Sequence, residues 1–424
     1  MIKKTVRLLQ PTYLRDFHCI GPDCEDHCCW GWQVTVDRKT YNLYRNSRDP
    51  VLKPRFAQAL KRNHRDPTDD NYAVLENHGG VCPMLTVEKL CSIQLRLSEK
   101  ALCHTCTVYP RAGALVAGRH EIVGAVSCPE LARRALLRPE GIQLEEVETP
   151  IAGVAARLKF TRSVNPDSPE QPSDRFFQPL RDFSLRMFQH RAWPLWRRLA
   201  GLALFCRLAD QRVAQGQTDS LSGLVDTFNT LLDDGGLAAQ IDRIQLDTTA
   251  LQRQVLDALG VERIYQGLQQ RDAFVDLLRE AWIGLGVLTA DTQPNPQAAE
   301  PDFLLDRFRA ATRDHYQPFF AEREYLLENY LVNLAFQRVF PCRPHGSLFK
   351  NLLTLVLPYA LLRYFLIGSA AYHGGLDEAR FIRAVYAFSR RIEHHSSFLK
   401  HILDLLERNG YDTPAGLVAL VKEV

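Results

Sequence analysis

Four cysteines crowd into CIGPDCEDHCCWGW, at Cys19, Cys24, Cys28 and Cys29, and five more follow at Cys82, Cys91, Cys103, Cys106 and Cys128. Only Cys206 and Cys342 lie beyond the first third of the chain. Thiolates are the preferred donors of zinc and of iron–sulfur centres, whereas a chain kept in a reducing compartment does not gather cysteines for disulfides. The cluster therefore reads as a metal or redox device. Cys19 and Cys24, with Gly21 and Pro22 between them, and Cys24 and Cys28 can be aimed at one point by a loop or a turn of helix. Cys28 and Cys29 cannot both serve one ion as equivalent ligands, because neighbouring side chains diverge. Two arrangements follow. One cluster could draw on some of the first four cysteines and on Cys82, Cys91, Cys106 or Cys128, or the nine thiols could divide between two metal sites, with Cys28 and Cys29 pointing to different ones. The expected ligands are Cys19, Cys24, Cys28, Cys29, Cys82, Cys91, Cys106 and Cys128, around a 4Fe–4S cluster or, alternatively, zinc, for which Cys103-His104-Thr105-Cys106 has a widely used spacing. Cys206 and Cys342 sit in or beside helical patterns and read as inert buried thiols.

The elements that must hold these thiols look slight. WQVTVD alternates Trp32, Val34 and Val36 on one face of a strand, and ALVAGRHEIVGAV reads as a hairpin turning near Gly118. Val51 to Asp70 is a basic helical stretch ending in the surface loop RNHRDPTDD, and Leu90 to Cys106 reads as short helices and turns. A small loop-rich region of this kind needs an ion to replace the core it lacks. We place a cysteine-rich module at residues 1–150, a linker at 151–173 containing NPDSPEQPSD, and an α-helical domain at 174–424. In the last part, FFQPLRDFSLRMFQ, WPLWRRLAGLALFCRLAD, LSGLVDTFNTLLDD, DAFVDLLREAWIGLGVL, EREYLLENYLVNLAFQRVF and EARFIRAVYAFSRRIEHHSSFLKHILDLLE repeat apolar residues at three and four. The fold class is thus mainly α: a small irregular metal-binding module with short β-strands, then a helical bundle.

Lys plus Arg total 52 against 49 for Asp plus Glu, so the net charge of +3 creates no field for nucleic acid or an anionic membrane. MIKKTVRLLQPTYL lacks the apolar core of a signal peptide, and the run Leu352 to Ile367, broken by Pro358 and Arg363, is short of the ~20 apolar residues a bilayer requires. A cytoplasmic protein without a membrane span is expected.

FHCIGPDCEDHCCWGWQVTVD, VCPML, LCSIQ, LSEKALCHTCTVYPR and SCPELARR, in that order between residues 5 and 135, resemble the FliB-type flagellin lysine N-methylase family and, more broadly, small cysteine-rich Zn/Fe-chelating domains. The resemblance continues through EREYLLENYLVNLAFQRVFP and FSRRIEHH. It implies methylation of flagellin lysine ε-amines with S-adenosylmethionine, flagellin as partner, and an iron–sulfur cluster. Two features depart from familiar methyl-transfer chemistry. Position 31 is Gly31, so no CxxxCxxC motif follows Cys24, and no glycine-rich turn joins a strand to a helix, since Gly284 and Gly286 of WIGLGVL read as helix packing. A Rossmann-type methyltransferase finds no support, and the S-adenosylmethionine site stays open.

Lysine methylation requires an amine with a reference pKa near 10.4 to lose its proton and meet a sulfonium methyl in line. Candidates are Glu328 and Tyr330 of LLENYL, which point to different sides of a helix, and Glu393, His394 and His395 of RRIEHH. Glu328, Tyr330 and His394 are the leading catalytic candidates; the bland alternative is a salt-bridged Glu328 and a surface His394. Arg111 and Arg390 could pair an acidic group, and Phe17, Trp30, Trp32 and Tyr109 would shield a metal centre. The competing reading is a metal-binding or electron-transfer protein without methyltransferase activity, its helical half docking a partner.

Overall fold

The first third forms short strands: β1 (Thr5–Pro11), β2 (Val34–Val36), β3 (Leu60–Arg62), β4 (Ala73–Leu75), β5 (Arg111–Val116), β6 (Arg119–Gly124) and β7 (Leu144–Pro150). This computed structural model describes residues 5–31, 33–65, 67–150, 158, 162–244, 272–300, 302–341, 346–393 and 396–422. By its contacts the chain divides into two units, one of Met1–Ala114, Arg119–Leu131 and Leu144–Thr161, the other of Leu115–Gly118, Ala132–Gln143 and Arg162–Val424.

In the first unit β1 lies between β6, parallel with Leu8 opposite His120, and β7, antiparallel with Leu8 opposite Val147. β5 and β6 are neighbours in this sheet, and the turn between them is at Ala117 and Gly118, as the hairpin pattern predicts. A second sheet has the order β2-β4-β3, both pairings antiparallel. The alternation of β2 has its expected effect, since Val34 and Val36 are buried; Trp32 lies outside the described residues. Beneath this sheet pack Tyr44 and Phe56, stacked at 4.3 Å, with Leu52, Leu75, Met84 and Ile93. Each such side chain gains about 1.5–3 kcal/mol by burial, a small total for a unit this irregular. Helices Ser92–Leu97 and His104–Val108 supply the short turns expected between Leu90 and Cys106.

The second unit is helical, and mainly α describes the chain. Every helical pattern quoted above forms helix: Phe177–Phe188, Leu195–Ala214, Leu221–Asp233, Ala273–Gly284, Tyr325–Arg338, Glu378–Phe388 and Ser396–Arg408. The apolar run read as too short for a membrane belongs to one helix of 26 residues, Leu348–His373, long and apolar enough by composition to cross one. Its most apolar window is entirely buried inside the unit, where a core helix belongs. Pro358 does not end it. Asp210, from helix Leu195–Ala214, caps its first turn, accepting from Leu348 N at 2.7 Å, Phe349 N at 3.0 Å and the Ser347 hydroxyl at 2.6 Å.

This helix meets Ala273–Gly284 without side chains between the backbones. A Cβ at Gly284 would lie 2.0 Å from the Gly368 carbonyl oxygen, so the packing role read for Gly284 is what the structure shows. Gly286 has a different reason. It lies past the helix end at φ +75°, a left-handed conformation that side chains disfavour, with the Phe303 ring 3.1 Å from where its Cβ would be.

Candidate functional site

The cysteines of the first unit sit on loops and helix starts. Cys82 and Cys103 are buried, Cys24, Cys29, Cys91 and Cys128 partly so, and Cys19, Cys28 and Cys106 exposed. Cys29 is fixed to Cys82 by a backbone bond, Cys82 N to Cys29 O at 2.8 Å, and Cys91 pairs with Leu85 in an isolated bridge. The thiols close in pairs. Hydrogen-bond contact with Cys28 and then Cys82 pushes the Cys29 thiol up, while the bond from Cys29 holds Cys82 down. Contact with Cys103 likewise raises Cys106, and Cys103 is lowered by it. Burial raises Cys24 and Cys91 and pushes Cys128 up to about 12. Among the described residues no three Cys, His, Asp or Glu side chains are placed as ligands of one metal ion.

Mutual proximity links the thiols in one neighbourhood, with Cys28 near Cys82 and Cys91 as well as near Cys24 and Cys128. Cys128 feels Cys24, Cys28 and Cys19, and Cys24 feels Cys28 and Cys19; Cys106 feels Cys103, Cys91 and Cys82. Cys103 is in hydrogen-bond contact with Cys106, the other cysteine of the CxxC spacing. Tyr44 is 1% exposed and faces Cys103, Cys106 and Cys91, its hydroxyl lying by the Cys103 amide without a well-formed hydrogen bond. A soft sulfur donor set beside an orphaned buried hydroxyl suits a thiolate-bound centre, whose sulfurs would accept that proton. Of the aromatics, Phe17 is buried under the Arg111 guanidinium at 5.2 Å, Tyr109 meets the Ser127 hydroxyl at 3.2 Å, and Trp30 is 44% exposed. Arg111 itself is lowered by burial and faces Cys128.

In the helical unit, Glu328 and Tyr330 do face different ways. Glu328 is 1% exposed and clamped: Arg191 donates to both its oxygens, from Nε at 2.9 Å and Nη2 at 2.8 Å, and Arg198 Nη1 donates at 2.7 Å. Arg198, 3% exposed, also bonds Glu324 and the carbonyls of Phe188 and Trp193. Next to it Asn329 donates to the carbonyls of Leu136 and Arg138. Tyr330, fully buried, donates to Glu393 Oε1, which also accepts from the Ser389 hydroxyl at 2.8 Å. A π-helical turn, Ser389–Glu393, makes that second contact, a distortion common at functional sites. Burial and the Glu393 charge keep the Tyr330 phenol protonated far above its usual range, and burial lowers Arg338, which faces both. The pairing of Tyr330 with Glu393, and the part of Ser389, were not foreseen; His394 and His395 lie outside the described residues.

Comparison with known proteins gives these sites a setting. Residues 181–420 match the model of the FliB lysine N-methylase C-terminal domain. The chain is 26% identical over 408 residues to lysine-N-methylase of Salmonella choleraesuis (strain SC-B67), covering 94% of each protein, and equally so to that of Salmonella typhimurium (strain LT2). It is 32% identical over 164 residues to the flagellar biosynthetic protein FliU of Salmonella muenchen, 38% of this chain and 95% of that one. No solved structure matches. With more than half its length matching the domain model, the chain belongs to the FliB lysine N-methylase family.

Proposed function

We propose that this protein, a lysine N-methyltransferase by family, transfers methyl groups from S-adenosylmethionine to lysine ε-amines of flagellin, with a metal centre held by its cysteine-rich unit. The observation that carries the reading is similarity to the lysine-N-methylases over 94% of both chains, too long to be confined to the helical unit. The flagellar name of the FliU relative supports a flagellar substrate. S-adenosylmethionine supplies an electrophilic methyl on a sulfonium, and an iron–sulfur centre held by cysteines of the first unit would supply one-electron chemistry.

The protein's own task is the proton. Glu393 is half-buried, and among the described residues its hydrogen bonds both end on Oε1 and come from neutral hydroxyls. Oε2 accepts the ammonium of the substrate lysine, and Tyr330 and Ser389 fix the carboxylate while it takes the proton, leaving the amine lone pair for the methyl. Co-expression with flagellin followed by intact-mass analysis tests the function: added methyl masses support it, and unmodified flagellin in cells making both proteins refutes it. Glu393→Gln should lower the rate by about 10²–10⁴-fold at neutral pH with an unchanged melting temperature. The deficit should narrow as the pH approaches the lysine reference of about 10.4, where substrate arrives already deprotonated. A deficit independent of pH would remove Glu393 from the proton transfer.

A further inference from the structure

A proline inside a helix leaves one carbonyl without its partner. In helix Leu348–His373 the N–H that would close onto the Thr354 carbonyl belongs to position 358, and Pro358 has none; its ring also crowds that carbonyl. Thr354 is buried, so the oxygen must find another donor. Arg338 supplies it, with Nη1 2.5 Å from the Thr354 oxygen.

The corner that carries Arg338 is itself fixed. Helix Tyr325–Arg338 stops at Val339, held at φ +56°, a left-handed conformation that a β-branched residue adopts only under constraint. Phe340 N bonds the Ala335 carbonyl at 2.9 Å, and Asn351 Nδ2 donates to the Pro341 carbonyl at 2.9 Å. Two bonds thus tie this corner to one stretch of helix Leu348–His373, at Asn351 and Thr354. Tyr330 and Glu393 lie within electrostatic reach of the Arg338 guanidinium, yet among the described residues Glu393 accepts from the Tyr330 and Ser389 hydroxyls and not from Arg338. A guanidinium at liberty beside a carboxylate pairs with it, as Arg191 and Arg198 do with Glu328.

We propose that Pro358 is a positioning residue for methyl transfer: by leaving the Thr354 carbonyl open it captures Arg338 there, and so keeps Glu393 unclamped for the ammonium of the substrate lysine. This role rests on the assignment of Glu393 to the lysine proton. It also gives the proline a reason to stand in the middle of a buried helix, where it is costly.

Pro358→Ala restores the missing N–H, closes the Thr354 carbonyl into the helix and releases Arg338 to Glu393. The variant should melt no lower than wild type, yet methylate flagellin about tenfold to a hundredfold more slowly at limiting flagellin, because a partly buried ion pair must break before the lysine can bind. Adding Arg338→Gln should return the rate to within a few-fold of wild type, a rescue that a purely structural role for the proline would not produce. A melting cycle without substrate tests the capture alone: the shifts caused by Arg338→Gln and Glu393→Gln should add when Pro358 is present and fail to add in the Pro358→Ala background. Should Pro358→Ala not fold, Arg338→Gln by itself decides. A lower melting temperature with methylation within a few-fold of wild type supports the capture, and a hundredfold loss of rate overturns it by making Arg338 a group the reaction uses. Additive shifts in both backgrounds, or an undiminished rate in Pro358→Ala, likewise overturn the proposal. A Glu393→Gln variant as active as wild type would remove the lysine assignment and with it the role in methyl transfer, whereas failure of the melting cycle alone removes the capture and leaves that assignment standing.

Discussion

Glu328 separates a structural carboxylate from a catalytic one, and Glu328→Gln decides which it is. The substitution keeps the shape and one carbonyl acceptor but removes the charge that two guanidinium groups share. Arg191 is 42% exposed on its side chain, so its half of the clamp is screened and contributes no more than ~1 kcal/mol. Arg198 is 3% exposed and Glu328 1%, and breaking a buried pair of that kind costs about 3–5 kcal/mol. The retained amide oxygen and the remaining bonds of Arg198, to Glu324 and to two carbonyls, return part of that. We expect a net loss of about 3 kcal/mol, or roughly 6–12 °C in the melting temperature of a unit this size. Thermal unfolding followed by circular dichroism measures it, and methylation of flagellin assayed well below the midpoint should stay within a few-fold of wild type. A variant that melts within a degree or two of wild type yet methylates a hundredfold more slowly would refute this account and make Glu328 a reacting group.

Two further outcomes test other parts of the fold. Gly368→Ala would place a Cβ 2.6 Å from both the Ala281 Cα and the Ala281 carbonyl oxygen, forcing helices Ala273–Gly284 and Leu348–His373 apart at a cost of about 1–3 kcal/mol. Because the obstruction is backbone, adding Ala281→Gly should not restore the melting temperature, and restoration would show that a side chain was the obstacle. Glu280 offers a pH test: burial opposes its charge, but the guanidinium of Arg383, the Ser369 hydroxyl at 3.0 Å and His373 at 3.2 Å hold its carboxyl below the usual 4.5. A group lowered in the folded state contributes its stability above the unfolded value and loses it as pH falls through the folded one. Wild type should therefore lose stability faster than Glu280→Gln as pH drops below about 4.5, and parallel acid melting curves for the two would contradict the pairing.

Local pattern was legible because it is set by neighbours in sequence. The three-and-four spacing of FFQPLRDFSLRMFQ or EARFIRAVYAF needs only a core on one side, and the alternation of β2 needs only one buried face. What required distance was hidden. Tyr330 and Glu393 are 63 residues apart, and their pairing depends on a π-helical turn that no propensity announces. Asp210 caps a helix 138 residues away, a cap invisible to any search of the residues just before Leu348. The thiols lay between these cases. The divergence expected of Cys28 and Cys29 from adjacent Cβ directions is not what the structure shows, since the two thiols are in hydrogen-bond contact, and which other thiols they meet depends on how Cys82, Cys91 and Cys128 are brought back to the first loop.

In the proposed reading, comparison with Glu328 and Glu280 favours Glu393 as the carboxylate that receives an amine. Glu328 is met by Arg191 and Arg198 and Glu280 by Arg383, so a cationic substrate approaching either would have to displace a guanidinium already in place. Among the described residues the hydrogen bonds to Glu393 come from Tyr330 and Ser389, neutral hydroxyls that orient the carboxylate without forming an ion pair with it. Arg338 is a buried guanidinium near Glu393, but it gives Nη1 to the Thr354 carbonyl at 2.5 Å and no hydrogen bond from it to Glu393 is seen among the described residues. The charge balance therefore favours a second cation beside Glu393 more than beside any clamped carboxylate, and a protonated lysine side chain brings that cation together with the proton that must leave before methylation.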